Sequence, residues 1–587
     1  MKVTVISGAD SKELDLDSGL ELKRTLQQSG LLNMPCGNGR CGKCRVRVLS
    51  APLPEPSVEE EGFLSRGELE AGVRLLCSLA RSPRFDSPLR LEILPKDAPY
   101  ALTAFATSEF TLCPVVRALP FEAPPPSLKD QRSDLKRCLD ACGLASHAFA
   151  LEQLEKLPLF LRDNAFSGHV LEQGGTALAY CSHPSWRALV VDIGTTTISA
   201  LLADTQTGQV LEALGQDNPQ AAFGADVLSR IAWSMEHPGP ELANAVRGRI
   251  NDLLQSLLHA QGLEDVDSIV CTGNSTMLHL LLNLPAASIG RAPFVSAVME
   301  PLRFLAADIG IASQARLFLP PAISSFVGAD TVCALLAALA DAKGKNFLLV
   351  DIGTNAETAL FFNGGFWACA AAAGPCFEGV SLSCGMPGAP GAIDRVFRTA
   401  EAFAHTSIGN IPARGLCGSG VVDSLALLLE TGALDATGRM RCEGPLAGYI
   451  ENEDGRLRFA VAPGVYLSQR DMREVQLAKA ALRAGIDVLL AEAGVSVDAL
   501  DKVYLAGGFG SFLNPASAAR LGMLPAACEG KLAVLGNAAS HGALRYLLAR
   551  GDFERAREIA AVTHYVELST HVGFSGAYME RMTLQRD

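Results

Sequence analysis

Four cysteines stand at a spacing suited to redox chemistry: Cys36, four residues, Cys41, two residues, Cys44, then a long interval to Cys77. C-x4-C-x2-C followed by a distant cysteine is the plant-type arrangement in which four thiolates hold a [2Fe–2S] cluster. Gly37, Gly39 and Gly42 allow the intervening loop to turn tightly and aim backbone N–H groups at sulfur. Cys77 comes from the apolar stretch Leu75-Leu76-Cys77-Ser78, which would keep water from one side. A four-cysteine zinc site is the alternative; zinc usually favours two matched knuckles, and the second knuckle is missing here. The remaining twelve of the sixteen cysteines are scattered singly through apolar or Gly-rich segments and read as small buried hydrophobes.

A second constellation is repeated. Leu189-Val190-Val191-Asp192-Ile193-Gly194-Thr195 returns as Leu348-Leu349-Val350-Asp351-Ile352-Gly353-Thr354. Each copy reads as an apolar strand ending at an aspartate, a Gly-Thr turn and a second strand (197–203; 357–362). Further turns at Thr207-Gly208 and Asn363-Gly364-Gly365 lead to third strands. Glycines beside hydroxyl residues offer several N–H and O–H donors to a phosphate chain. An aspartate at the strand end can hold Mg²⁺ directly or through water. Farther along, Ile269-Val270-Cys271-Thr272-Gly273-Asn274 and Val503-Tyr504-Leu505-Ala506-Gly507-Gly508 form another pair of strand-then-glycine turns.

These groups need several supporting elements. At 587 residues the chain exceeds one core, and about 150 residues per domain suggests roughly four domains. Hydrophobic residues at 49%, charged residues at 19% and a mean hydropathy of +0.21 exclude a disordered scaffold or coiled-coil rod. A net charge of −13 without basic blocks argues against nucleic acid and anionic membrane surfaces as partners. The apolar run 331–340 stops at Asp341, short of the roughly 18–20 residues a membrane span needs. Met1-Lys2-Val3-Thr4-Val5 runs directly into polar residues, so a cytoplasmic location is expected.

Residues 1–95 read as short strands, 2–7 and 45–49 among them, with one amphipathic helix at 19–29. Residues 96–128 read as a linker, with Phe121-Glu122-Ala123-Pro124-Pro125-Pro126 as its stiff spacer. Residues 129–187 read as a small helical middle domain, in which Leu151, Leu154, Leu157 and Phe160 share one helix face and Pro158 is expected near an end. Residues 188–587 carry the duplication, predicting two similar α/β subdomains with a ligand cleft between them.

The duplicated turns resemble the phosphate-1 and phosphate-2 motifs of the acetate and sugar kinase, heat-shock chaperone and actin superfamily. Leu505-Ala506-Gly507-Gly508-Phe509-Gly510 resembles its adenosine motif. The cysteine quartet resembles that of a β-grasp, plant-type ferredoxin domain. In combination, over nearly the whole chain, the sequence resembles the ATP-dependent reductive activators of corrinoid proteins. The stretches that narrow the resemblance include Asn218-Pro219-Gln220 with Phe223-Gly224-Ala225-Asp226-Val227, and Ala373-Gly374-Pro375 with Phe377-Glu378-Gly379. Gly415-Leu416-Cys417-Gly418-Ser419-Gly420, the run from Arg470-Asp471-Met472 to Ala478-Lys479, and Gly536-Asn537-Ala538 add to it. Pro387 departs from the pattern, which has a basic residue there.

The resemblance implies a multidomain α/β chain that carries one electron from a [2Fe–2S] cluster to a Co(II) corrinoid protein, with Mg-ATP hydrolysis driving the uphill step. An external electron donor is implied as well, and a homodimer through the middle domain. Asp192 and Asp351 are then the Mg²⁺ and water-positioning carboxylates, and Glu357 and Glu378 are candidates for orienting the attacking water. Gly194, Thr195, Thr196, Gly353, Thr354 and Asn355 cradle phosphate; Gly507 and Gly508 line the adenosine site. Gly194 is expected to be glycine so that the backbone can approach phosphate. A small-molecule kinase, or a nucleotide-regulated electron-transfer or binding module, remains the alternative.

Overall fold

The computed structural model describes residues 2–7, 10–16, 19–28, 44–50, 55–57, 60, 69, 71–80, 89–93 and 110–586, apart from 380, 454, 455 and 511. At the N-terminus, strand Lys2–Ser7 pairs antiparallel with Asp10–Asp15 and parallel with Leu89–Ile93. Leu89–Ile93 runs antiparallel to Arg45–Val48, which in turn pairs with Val73–Leu75. Alternation decides the faces: Val3, Val5, Val46, Val48 and Leu91 point inward, and Leu22 and Leu26 of helix Gly19–Gln28 close over them. The described residues thus form a mixed five-stranded sheet covered by a helix, as the short strands and amphipathic segment led one to expect.

The segment read as a spacer is partly sheet. Arg117–Glu122 pairs antiparallel with Ser167–Gln173, which continues to Thr176–Cys181 and Ser146–His147. Pro120 is tolerated because Arg117–Glu122 is the edge strand, where a missing N–H costs no ladder bond on the open side. Helices Asp134–Ala141 and Leu151–Asp163 cover this sheet, so residues 129–187 mix strand and helix instead of being purely helical. Pro158 sits inside the second helix, not near its end. The three-residue face also breaks: Leu157 and Leu161 are buried, whereas Leu151 is 73% exposed.

The large C-terminal half holds two six-stranded sheets in which five strands are wired alike. In the first lobe, Arg187–Ile193 pairs antiparallel with Thr197–Asp204, which pairs with Val210–Asp217. Parallel neighbours Ser268–Gly273 and Arg316–Leu319 follow on its other side. In the second lobe, Phe347–Ile352 takes the same place between Ala356–Phe362 with Gly365–Ala371 and Lys502–Ala506 with Leu532–Gly536. The duplication read from Asp-Ile-Gly-Thr is thus a duplication of topology.

Helices Ala329–Ala342 and Ala538–Leu548 pack between the sheets, in a core that takes Val190 and Leu201 from one lobe and Leu349 and Ala359 from the other. They cross at Gly542, where an added Cβ would lie 1.6 Å from the Cys333 carbonyl oxygen. The chain from the N-terminal domain reaches this pair: Cys113 N–H donates to Leu548 O (2.8 Å), Val115 N–H to Leu547 O (2.8 Å), and Arg550 N–H to Cys113 O (2.9 Å). Among the described residues no helix is long and apolar enough to cross a membrane.

Candidate functional site

Both Asp-Ile-Gly-Thr turns open onto the space between the lobes. Asp192 is the penultimate residue of its strand and lies opposite Ser199; Asp351 occupies the same place and lies opposite Glu357. The first turn is held from behind. Asn218 Nδ2 donates to Gly194 O (2.8 Å), and buried Arg230 donates to Thr195 O (2.6 Å) and Gly224 O (2.9 Å). The motif around Asn218 and Gly224 therefore backs the first Asp-Ile-Gly-Thr turn. A Cβ on Gly194 would meet Thr197 O at 2.6 Å, so glycine is demanded by the turn's own backbone, before any phosphate is considered. Gly353 has more room, its nearest neighbour being Glu378 Oε1 at 3.4 Å.

Two residues tie the loops together across the cleft. Asn537 caps helix Ala538–Leu548 by accepting from Ser540 N–H (2.9 Å), and its amide nitrogen donates to Asp192 Oδ2 (3.2 Å) and Ser199 Oγ (3.1 Å). Glu378 accepts from the Thr196 hydroxyl of the first loop and from the Thr354 hydroxyl of the second at 3.1 Å. Gly507 has a positive φ of +84°, and a Cβ there would lie 2.5 Å from Asp351 Oδ1. The adenosine-type turn and the second phosphate loop are consequently in contact, with Gly508 the next residue along. Phe509 stacks on Phe377 at 4.9 Å, connecting that turn to Glu378's own segment.

The cleft is rich in negative charge. Burial, then the charges of Asp330 and Asp351, push the Asp192 carboxyl up to about 7, against a hydrogen bond from Asn537. Burial, then Asp330 and Glu378, push Asp351 up to about 7. Burial raises Asp330 to about 6 and holds Glu357 well above the ordinary range, with Asp330 and Asp351 adding to the latter. Among the described residues no three His, Cys, Asp or Glu side chains close around a single metal. The arrangement fits magnesium, which takes one or two carboxylates and completes its shell with phosphate and water.

These raised values set a sign for pH dependence. A carboxyl whose folded value exceeds its unfolded 3.8 adds stability at low pH and loses it as pH rises through about 7. Mg²⁺ with ADP is therefore expected to raise the melting temperature more at pH 8 than at pH 5.5. That difference should shrink in Asp330→Asn, which removes one of the repelling charges. Thermal melts of both proteins at both pH values check this, and equal shifts in wild type and variant would contradict it.

In the N-terminal domain the Cys44 and Cys77 sulfurs meet 3.1 Å apart, both buried, and Cys77 N–H points at Cys44 Sγ (3.4 Å). At a separation of 3.1 Å the two sulfurs are not joined to each other as a disulfide. Cys36 and Cys41 lie outside the described residues. Two buried sulfurs with an N–H aimed at one of them suit a thiolate-bound metal group. Of the scattered cysteines, Cys138, Cys271, Cys333, Cys369, Cys376, Cys417 and Cys528 are buried as expected, while Cys113 and Cys442 are exposed.

The structure brings Asp330 and Asn537 in beside the predicted aspartates. Asp330 opens helix Ala329–Ala342, and its only sequence signal is a single carboxylate at the head of an otherwise apolar run. Asn537 lay in a recognised stretch without an assigned task. His279 and His541 stay outside: His279 accepts Ala297 N–H at 2.9 Å and contacts Ser275 O, and burial lowers His541 to about 4.

Comparison with known proteins agrees with this arrangement. Residues 345–587 match the family described as the C-terminal domain of RACo, the ASKHA domain, and residues 187–342 match the RACo middle region. What that family description calls the middle region is thus the first lobe here. The chain is 28% identical over 594 residues to a corrinoid activation enzyme, RamQ, of Eubacterium limosum, covering 97% of each. It is 24% identical to a [Co(II) methylated amine-specific corrinoid protein] reductase of Methanosarcina barkeri, over 67% of this chain and 76% of that one. A solved structure titled a reductive activator for corrinoid, iron-sulfur protein matches with a TM-score of 0.74 and 30% identity, over 99% of this chain and 98% of the other. With both lobes matched by that family and the whole length shared with one of its solved members, the chain belongs to the reductive activators of corrinoid proteins.

Proposed function

We propose that this chain returns a corrinoid protein from Co(II) to Co(I) by delivering one electron, and that ATP drives the step. The observation that carries the reading is the presence, in one chain, of a buried thiol pair and a duplicated phosphate-loop cleft. A small-molecule kinase has use for the second and none for the first. Cys36, Cys41, Cys44 and Cys77 would hold the [2Fe–2S] cluster, which supplies single electrons near about −400 mV when bound. If the corrinoid couple lies about 100–200 mV lower, the deficit is about 2–5 kcal/mol, at 59 mV per tenfold.

The cleft residues divide the nucleotide work. Thr195 and Thr196, in the turn that Asn218 and Arg230 keep in place, and Thr354 and Asn355 in the second turn offer hydrogen bonds to the phosphates. Asp192 and Asp351 face the same space and receive Mg²⁺, with Glu357 behind Asp351 on the neighbouring strand. Asn537 fixes the Asp192 carboxylate in position. ATP can shift the electron-transfer equilibrium only by binding or being hydrolysed differently in the partner-bound and free states. Closure of the two lobes provides such a pair of states.

The test mixes the reduced protein with a Co(II) corrinoid protein and follows cobalt spectroscopically. Most cobalt should stay Co(II) without nucleotide, and Mg-ATP should raise the Co(I) yield. Equal yields with and without ATP would remove the activator reading, and ATP-dependent phosphorylation of a metabolite would favour the kinase.

A further inference from the structure

Glu378 stands where a phosphate would be received. Its carboxylate accepts hydrogen bonds from the hydroxyls of Thr196 and Thr354, one from each lobe, and lies over Gly353 of the second turn. Behind the first turn, Arg230 is fully buried; its contacts are Thr195 O, Gly224 O, Gln220 Oε1 and Met277 Sδ, and it forms no ion pair among the described residues. Two hydroxyl donors, a glycine turn and a buried cation make a seat for an anion. The protein's own carboxylate fills it.

A hydroxyl has one proton to donate, so Thr196 and Thr354 cannot serve Glu378 and a phosphate oxygen together. Nor can two anions share the recess without strong repulsion. We propose that Glu378 is an internal anion holding the phosphate seat, and that the nucleotide's phosphate chain displaces it on binding. The proposal rests on the reading of the cleft as an ATP site and names the group that ATP must compete with. Displacement would not stay local: Phe377, the preceding residue, is stacked on Phe509 of the adenosine-type turn. The phosphate and nucleoside ends of the ligand therefore act on one short segment, Pro375–Glu378.

Glu378→Gln keeps the size of the side chain and removes its charge. Calorimetric titration of wild type and E378Q with a non-hydrolysable ATP analogue, and with adenosine, tests the proposal. Analogue affinity should rise by about tenfold or more in E378Q, while adenosine, which has no phosphate, should bind both proteins equally. Glu378→Asp, too short to span both hydroxyls but still charged, should show a smaller gain; ligand-free melts of both variants establish that they fold. Unchanged or weaker analogue binding, or an equal gain for adenosine, would overturn the proposal, since a carboxylate that only tied the loops together would not discriminate between the ligands. If wild type binds neither ligand, the ATP reading itself falls. Wild-type binding without a gain in E378Q strikes only the seat.

Discussion

Cys77→Ser should lose the visible absorption and paramagnetic signal of a [2Fe–2S] cluster, and electron delivery to a corrinoid protein should fall to the protein-free background. The side chain is about 1% exposed, and its sulfur sits 3.1 Å from that of Cys44. Serine therefore replaces a buried soft donor by a hard one in nearly the same volume, and a cluster held by four thiolates loses one. Cys41→Ser should do the same. The N-terminal sheet has its own core, centred on Val3, Val46 and Leu91, so ATP hydrolysis in the two lobes should survive. Wild-type spectra in both variants, or zinc in place of iron in the purified protein, would defeat the assignment.

Asp351→Asn is expected to cut Mg-ATP hydrolysis by at least about a hundredfold, the scale on which lost metal-side charge stabilisation appears in rate. Cluster content should be unaffected. The structure also supplies a control. Asp351 is held above its ordinary range by burial and by the charges of Asp330 and Glu378. Neutralising it should make the ligand-free protein no less stable near pH 8, and a melting temperature that holds or rises separates a chemical defect from misfolding. Undiminished hydrolysis in a folded variant would mean that the repeated turns have been misread.

Much of this was legible in the sequence because it was local or repeated. Asp192 and Asp351 each sit in a seven-residue string that names its strand, its turn and its twin, and the structure gives the twins the same strand order. The alternation of Val3 and Val5 sufficed to place the first strand. What escaped was set by distant partners. Asp330 comes from a helix recognised as an apolar run, and only folding brings it opposite Asp192 and Asp351. Glu378 was seen as a carboxylate, but its double contact joins residues 182 positions apart. Propensity, which ignores context, places Pro158 near a helix end; a tertiary-packed helix accommodates it in the interior.

The crossing of the two helices between the lobes has a mechanical consequence. At Gly542 the helix Ala538–Leu548 lies against the Cys333 carbonyl with no side chain between them. Buried from end to end, the helix is a rigid rod that joins the groups at its two ends. From Gly542 one arm runs about 7 Å, at 1.5 Å per residue, to Asn537, whose amide grips Asp192. The other runs about 9 Å to Leu548, whose carbonyl holds Cys113 of the chain leading from the N-terminal domain. A displacement at the Asp192 end is thus carried along the rod to the tether of the N-terminal domain.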